Sequence, residues 1–119
     1  MILVVDDNPQ VLEVLGEVLR GGGHQVETTT SSRQALEWVG ARPYELIVSD
    51  MEMPGLDGIG LYRAVADRSP TLARRFIFIT GSSHTPEVRA FVERTQVRLL
   101  SKPFNVDQLR RVVQEVLTA

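Results

Sequence analysis

The chain has 119 residues, 43% hydrophobic and 24% charged, which suits one globular unit able to bury a real core. A formal net charge of −2 argues against a nucleic-acid or membrane-surface footprint, and the lack of cysteine rules out disulfides, thiolate catalysis and Cys-ligated zinc. No stretch approaches the roughly 20 apolar residues of a membrane span, and the N-terminal run meets acid rather than a cleavage site. The expectation is therefore a cytoplasmic domain over residues 1–119 with no effector domain within it, either a stand-alone unit or a soluble piece of something larger.

Apolar runs alternate with stretches of helical period. Ile2-Leu3-Val4-Val5 reads as a first strand, followed at once by Asp6 and Asp7. Asn8 and Pro9 open a helix, an N-cap side chain before a proline at the first helical position. Val11, Leu12, Val14, Leu15, Val18 and Leu19 follow at helical spacing. Gly21-Gly22-Gly23 closes that helix with left-handed cap geometry; phosphate-cradling glycines instead follow a strand and open a helix. Residues 25–29 make a short second strand, and a helix over 32–41 turns Ala35, Leu36 and Val39 inward. The third strand spans 46–49 and leads through Asp50 into a loop over 51–57. A third helix covers 58–69 with Ile59, Leu61, Tyr62 and Val65. The fourth strand is 76–79, and Thr85-Pro86-Glu87 repeats the cap-then-proline start for a fourth helix bearing Val88, Phe91 and Val92. Residues 97–101 form a fifth strand whose Arg98 suits an edge. Asn105 and Gln108 then form a capping box for a fifth helix, with Leu109, Val112, Val113, Val116 and Leu117 inward.

Five strand–helix units imply a parallel sheet covered on both faces, and the continuously apolar third and fourth runs fit doubly buried strands. The fold class is α/β: a flavodoxin-like doubly wound five-stranded parallel sheet, order 2-1-3-4-5, with helices on both faces. Asp6, Asp7, Asp50, Thr80 and Lys102 each sit directly behind an apolar run, so this topology gathers them at one sheet edge. Singly, each has an ordinary account: a helix-capping Asp pair, a loop carboxylate, a turn hydroxyl, a solvated lysine. Together they make a site. Two carboxylates about 4 Å apart repel by on the order of 4 kcal/mol at an effective dielectric of about 20. Lys102 supplies one compensating charge and a divalent cation the rest. Mg2+ suits two carboxylates, a backbone carbonyl, waters and a phosphoryl oxygen, whereas softer metals find neither Cys nor paired His.

These residues resemble the receiver domain of two-component response regulators along the whole chain. Asp6-Asp7 resembles the family's acidic pair, and Asp50 with Met51 to Gly58 is similar to D-x-x-M-P-x-x-x-G. Thr80-Gly81 matches the switch hydroxyl and its small neighbour, Lys102-Pro103-Phe104 matches K-P-F, and the steps of 30 and 22 residues between Asp50, Thr80 and Lys102 also fit. The resemblance implies that Asp50 is the nucleophile toward a phosphohistidine on a sensor histidine kinase or histidine phosphotransfer protein. It further implies Mg2+ held by Asp7, Asp50 and the Glu52 backbone carbonyl, with Asp6 acting through a metal-bound water. Thr80 and Lys102 would take phosphoryl oxygens, and Lys102-Pro103 would be cis. The face of the fourth and fifth helices is the family's usual output and homodimer surface.

Leu99 stands where the family usually has Tyr or Phe, which predicts a muted rearrangement of the fourth helix and fifth strand on phosphorylation. Glu52 and Ser82 resemble positions that tune dephosphorylation. The Thr80-Gly81-Ser82-Ser83 loop and the Leu100-Ser101-Lys102-Pro103 ending are similar to receivers of hybrid histidine kinases. Trp38, Met51 and Met53 read as packing residues, Arg74-Arg75 and Arg110-Arg111 as solvated surface, His24 and His84 as exposed turns. Three other functions compete. A metal-dependent phosphohydrolase would carry D-x-D after its first strand, where this chain has Asp6-Asp7-Asn8, and the chain has no room for its usual cap domain. The intact acidic set and lysine argue against a binding-only receiver, and acid behind the first strand would repel a flavin phosphate.

Overall fold

A computed structural model describes residues 1–53, 55–81 and 85–119. Its centre is a five-stranded parallel sheet in the order β2-β1-β3-β4-β5. The strands are β1 (Ile2–Val5), β2 (Val26–Thr29), β3 (Leu46–Asp50), β4 (Phe76–Thr80) and β5 (Arg98–Ser101). The helices are α1 (Pro9–Gly21), α2 (Ser32–Ala41), α3 (Gly58–Arg68), α4 (Pro70–Ala73), α5 (Pro86–Thr95) and α6 (Val106–Thr118). The expected order and both helical layers are present.

Alternation along each strand divides the core in two. Leu3, Val5, Ile47, Phe76 and Phe78 pack with Ala35, Leu61, Val65, Val88 and Phe91 of α2, α3 and α5. Ile2, Val4, Leu46, Val48, Ile77 and Ile79 pack with Leu12, Leu15 and Leu19 of α1 and Leu109, Val113 and Val116 of α6. Phe76 and Phe78 stack at 5.2 Å, and Tyr62 and Phe91 set ring edges against them, which anchors α3 and α5 to β4.

Four strand boundaries and one helix differ from the sequence reading. β3 and β4 each run one residue further, so Asp50 and Thr80 are the last residues of their strands. β2 and β5 each begin one residue later, although Gln25 still accepts a hydrogen bond from the Ile2 N–H at 2.8 Å. The chain also makes an extra helical turn, α4: Ser69 ends α3, and its hydroxyl then accepts from the Leu72 N–H while Pro70 opens the turn. The fourth and fifth helices read from sequence are therefore α5 and α6. The predicted caps hold, Asn8 at α1 and the Asn105–Gln108 box at α6 among them.

Met51 and Met53 are buried and Trp38 is half-buried against the core. The Arg42 guanidinium lies 4.6 Å over the Trp38 ring and donates to Glu27, which also accepts from the Tyr44 hydroxyl. Burial, reinforced by that bond, pushes the Tyr44 phenol up to about 12. Arg110 is exposed but not merely solvated: it donates to the Val18 carbonyl at 3.4 Å, close to the C-terminal end of α1. His24 is half-buried rather than exposed, and His84 lies outside the described residues. No helix of the described residues is long and apolar enough to cross a membrane.

Candidate functional site

The polar residues that follow the strands meet at the sheet's C-terminal edge. β1 delivers Asp6, whose N–H donates to the Thr29 carbonyl at 3.2 Å and so continues the strand's direction. The Asp6 Oδ1 accepts the Asn8 N–H at 2.9 Å, and Asn8 in turn caps α1 through Gln10 and Val11. Neither aspartate is therefore spent as the helix cap itself. β3 ends on Asp50, which is 8% exposed and accepts the Glu52 N–H at 3.2 Å. Carboxylate oxygens of Asp6, Asp7 and Asp50 lie within 4.8 Å of one another.

β4 ends on Thr80, fully buried, whose hydroxyl donates to the Glu52 Oε1 at 3.2 Å. Thr80 pairs with Ser101 of β5, and its carbonyl accepts the Lys102 N–H at 2.9 Å, which fixes the lysine one strand over from the threonine. The Lys102–Pro103 bond is cis, as expected. All five predicted side chains thus belong to one edge, with β3 between the acid pair of β1 and the threonine of β4. Leu99 pairs with Phe78, is half-buried and packs on the α2–α3–α5 side. Ser82 lies outside the described residues.

Electrostatics at this edge is unbalanced. Burial pushes the Asp6 carboxyl up to about 6; the Asn8 hydrogen bond and the Lys102 ammonium oppose the rise, while Asp50 and Asp7 add to it. Asp50 is raised in the same sense, again mainly by burial. Among the described residues no carboxylate pairs with Lys102 within salt-bridge distance. The Asp6 Oδ2 is buried with no hydrogen-bond partner among the described residues. A buried, unpartnered anionic oxygen is costly, and a cation or its bound water is what such a group lacks. The donor set, all hard oxygen, fits Mg2+.

Two features escaped the sequence. One is the Glu52–Thr80 contact. The other is Gly58, legible only as part of a motif: a Cβ there would meet the Asp50 carbonyl oxygen at 2.6 Å, the Met51 Cα at 2.9 Å and the Phe78 ring at 3.0 Å. The first two atoms are backbone and cannot swing away, so Gly58 lets α3 start hard against the end of β3. Gly58→Ala is expected to lose about 1–3 kcal/mol of stability by overpacking. It should also weaken Mg2+ binding by displacing Asp50. Urea unfolding and calorimetric Mg2+ titration check both; wild-type values in both would remove this account of Gly58.

An apolar groove opens beside the acidic edge, lined by Val11, Val14 and Leu15 of α1 and by Lys102, Pro103 and Phe104. Val14 is 59% exposed within it.

A doubly wound sheet carrying an acidic cluster, a hydroxyl and a lysine at its carboxyl edge defines a cation-assisted phosphoryl-binding module. The family model for the response regulator receiver domain matches residues 2–114, and the chain belongs to that family. A probable chemotaxis protein CheY of Rhizobium etli is 27% identical over 119 residues, 99% of this chain and 92% of that protein. The DNA-binding transcriptional regulator NtrC of Escherichia coli K12 is also 27% identical, across 99% of this chain but only 25% of its own length. Among solved structures, the receiver domain of a Pseudomonas aeruginosa sensor histidine kinase, with magnesium coordinated in its active-site cleft, superposes with a TM-score of 0.85 at 27% identity, covering 99% of this chain and 97% of that one. The response regulator TrrA of Thermotoga maritima, in complex with Mg2+ and beryllium fluoride, gives 0.84 at 28% identity, covering 98% and 97%. The chain is a receiver domain of two-component systems whose acidic pocket suits Mg2+ and phosphoryl acceptance.

Proposed function

We propose that Asp50 accepts a phosphoryl group from a phosphohistidine of a sensor histidine kinase or histidine phosphotransfer protein, in the cytoplasm. The observation that carries this reading is the position of Asp50: it closes the central strand, between the acid pair behind β1 and the Thr80 and Lys102 positions behind β4 and β5. A carboxylate oxygen of Asp50 attacks phosphorus, the phosphorus–nitrogen bond breaks, and the partner's imidazole leaves with the electron pair. The Thr80 hydroxyl donates a hydrogen bond to one phosphoryl oxygen and the Lys102 ammonium donates one to another. Positioning and charge stabilisation do most of the work in such transfers.

Asp7, Asp50 and the Glu52 carbonyl would hold Mg2+, with Asp6 acting through its water; the ion supplies positive charge against the transferring group. Support comes from the unpartnered Asp6 oxygen and from the magnesium seen in related receivers. The apolar groove at Val14 and Phe104 suits a partner protein that must bring its histidine to this edge. The α5–β5–α6 face is the candidate output and self-association surface, with Leu99 muting its response.

The test is incubation of the chain with Mg2+ and a small acyl phosphate, followed by intact-mass and peptide analysis. One acid-stable, alkali-labile phosphoryl adduct on the peptide bearing Asp50 is expected, abolished by chelation. Turnover of a generic phosphate ester is expected to be absent. An adduct elsewhere, or none, would defeat the proposal.

A further inference from the structure

We propose that the Glu52 carboxylate is a resting-state latch on the Thr80 hydroxyl, a contact that an arriving phosphoryl group must displace. The inference rests on the phosphoacceptor reading and adds to it a residue that regulates the same site. Glu52 is tied across the edge twice: its N–H donates to Asp50 on β3, and its Oε1 accepts from Thr80 on β4. The second bond, at 3.2 Å, is long for O–H···O and therefore weak enough to exchange. A threonine hydroxyl has one hydrogen to donate, so it serves the Glu52 carboxylate or a phosphoryl oxygen, not both.

The exchange also has a charge component. A phosphoryl group on Asp50 brings negative oxygens to a hydroxyl already held by an anion, and the two acceptors repel. Thr80 is fully buried and Glu52 is exposed, so the glutamate is the group with room to leave. Glu52 is thus a positioning residue: it acts through Thr80 by holding the hydroxyl on the resting side.

The test binds beryllium fluoride with Mg2+ to the full chain and reads affinity by fluorine NMR. Glu52→Ala should bind about three- to tenfold tighter than wild type, the size of one weak charge-assisted hydrogen bond. Glu52→Gln, which keeps an acceptor and drops the charge, should gain less. In a Thr80→Val background the gain from Glu52→Ala should shrink to that of Glu52→Gln; an equal gain in both backgrounds would overturn the latch and leave only electrostatics. The Thr80 methyl resonance in the metal-free protein gives a second readout, independent of phosphoryl chemistry. It should move in Glu52→Ala, and an unmoved resonance would also overturn the proposal. Failure of the wild type to bind beryllium fluoride would count against the phosphoacceptor reading, with the methyl resonance still deciding the latch.

Discussion

Asp50→Asn is expected to abolish phosphoryl incorporation while leaving the metal-free fold as stable as the wild type or more so. The two effects have one origin. Asp50 is 8% exposed, and burial raises its carboxyl above the ordinary range, so the charged form is held at a cost. An amide of the same shape drops that cost. Its oxygen can still accept the Glu52 N–H now held by the carboxylate at 3.2 Å. What the amide lacks is the nucleophilic oxygen anion. Asp6 and Asp7 are within 4.8 Å, but both follow β1, on the side of β3 away from β4. A phosphoryl group on either would stand further from the Thr80 hydroxyl and the Lys102 position. Incorporation is therefore expected to vanish rather than shift. Intact-mass analysis with an acyl phosphate, paired with urea unfolding in chelator, reads both halves. A persistent adduct would reassign the acceptor, and a substantially destabilised variant would mean that the carboxylate holds the fold.

Most of the architecture was legible because doubly buried strands leave continuous apolar runs. Ile2 to Val5 and Phe76 to Ile79 needed no tertiary information, and caps such as Asn8-Pro9 set helix starts to the residue. The extra turn at Pro70–Ala73 was missed because four residues carry no helical period; only its Ser69-Pro70 start was written locally. The site positions were legible for a topological reason: residues behind parallel strands must share an edge once the strand order is known. What joins those residues was not. Glu52 reaches Thr80 from a loop, across 28 positions, with no periodicity to announce it. Gly58 looks like any helix-starting glycine until the Asp50 carbonyl is seen where its Cβ would stand. Tyr44 closes a bond to Glu27 across 17 positions for which composition offers no signal.

The second large effect concerns Asp6 and runs in opposite directions with and without metal. In chelator, the folded chain binds a proton at Asp6 up to about pH 6, whereas an unfolded aspartate releases it near 3.8. Between those values the folded state holds more protons, so this group's contribution falls as pH rises through the window and stays low above it. The full loss is on the order of 2–3 kcal/mol. Asp6→Asn removes the ionisation, and the variant should therefore be more stable than wild type by about 1–3 kcal/mol at pH 7.5 in chelator, with little difference near pH 4. Its amide can still accept the Asn8 N–H, so the start of α1 is kept. Saturating Mg2+ should reverse the ranking or narrow it, because a ligand that binds only the folded state stabilises in proportion to its affinity. The variant would have lost one anion from the cluster that attracts the ion. Four urea curves, two proteins with and without Mg2+ at pH 7.5, and a metal-free pair near pH 4 settle the point. Equal stabilisation of both proteins by Mg2+ would remove Asp6 from the metal site. A metal-free variant no more stable than wild type at pH 7.5 would mean that the buried oxygen is better solvated than its surroundings indicate.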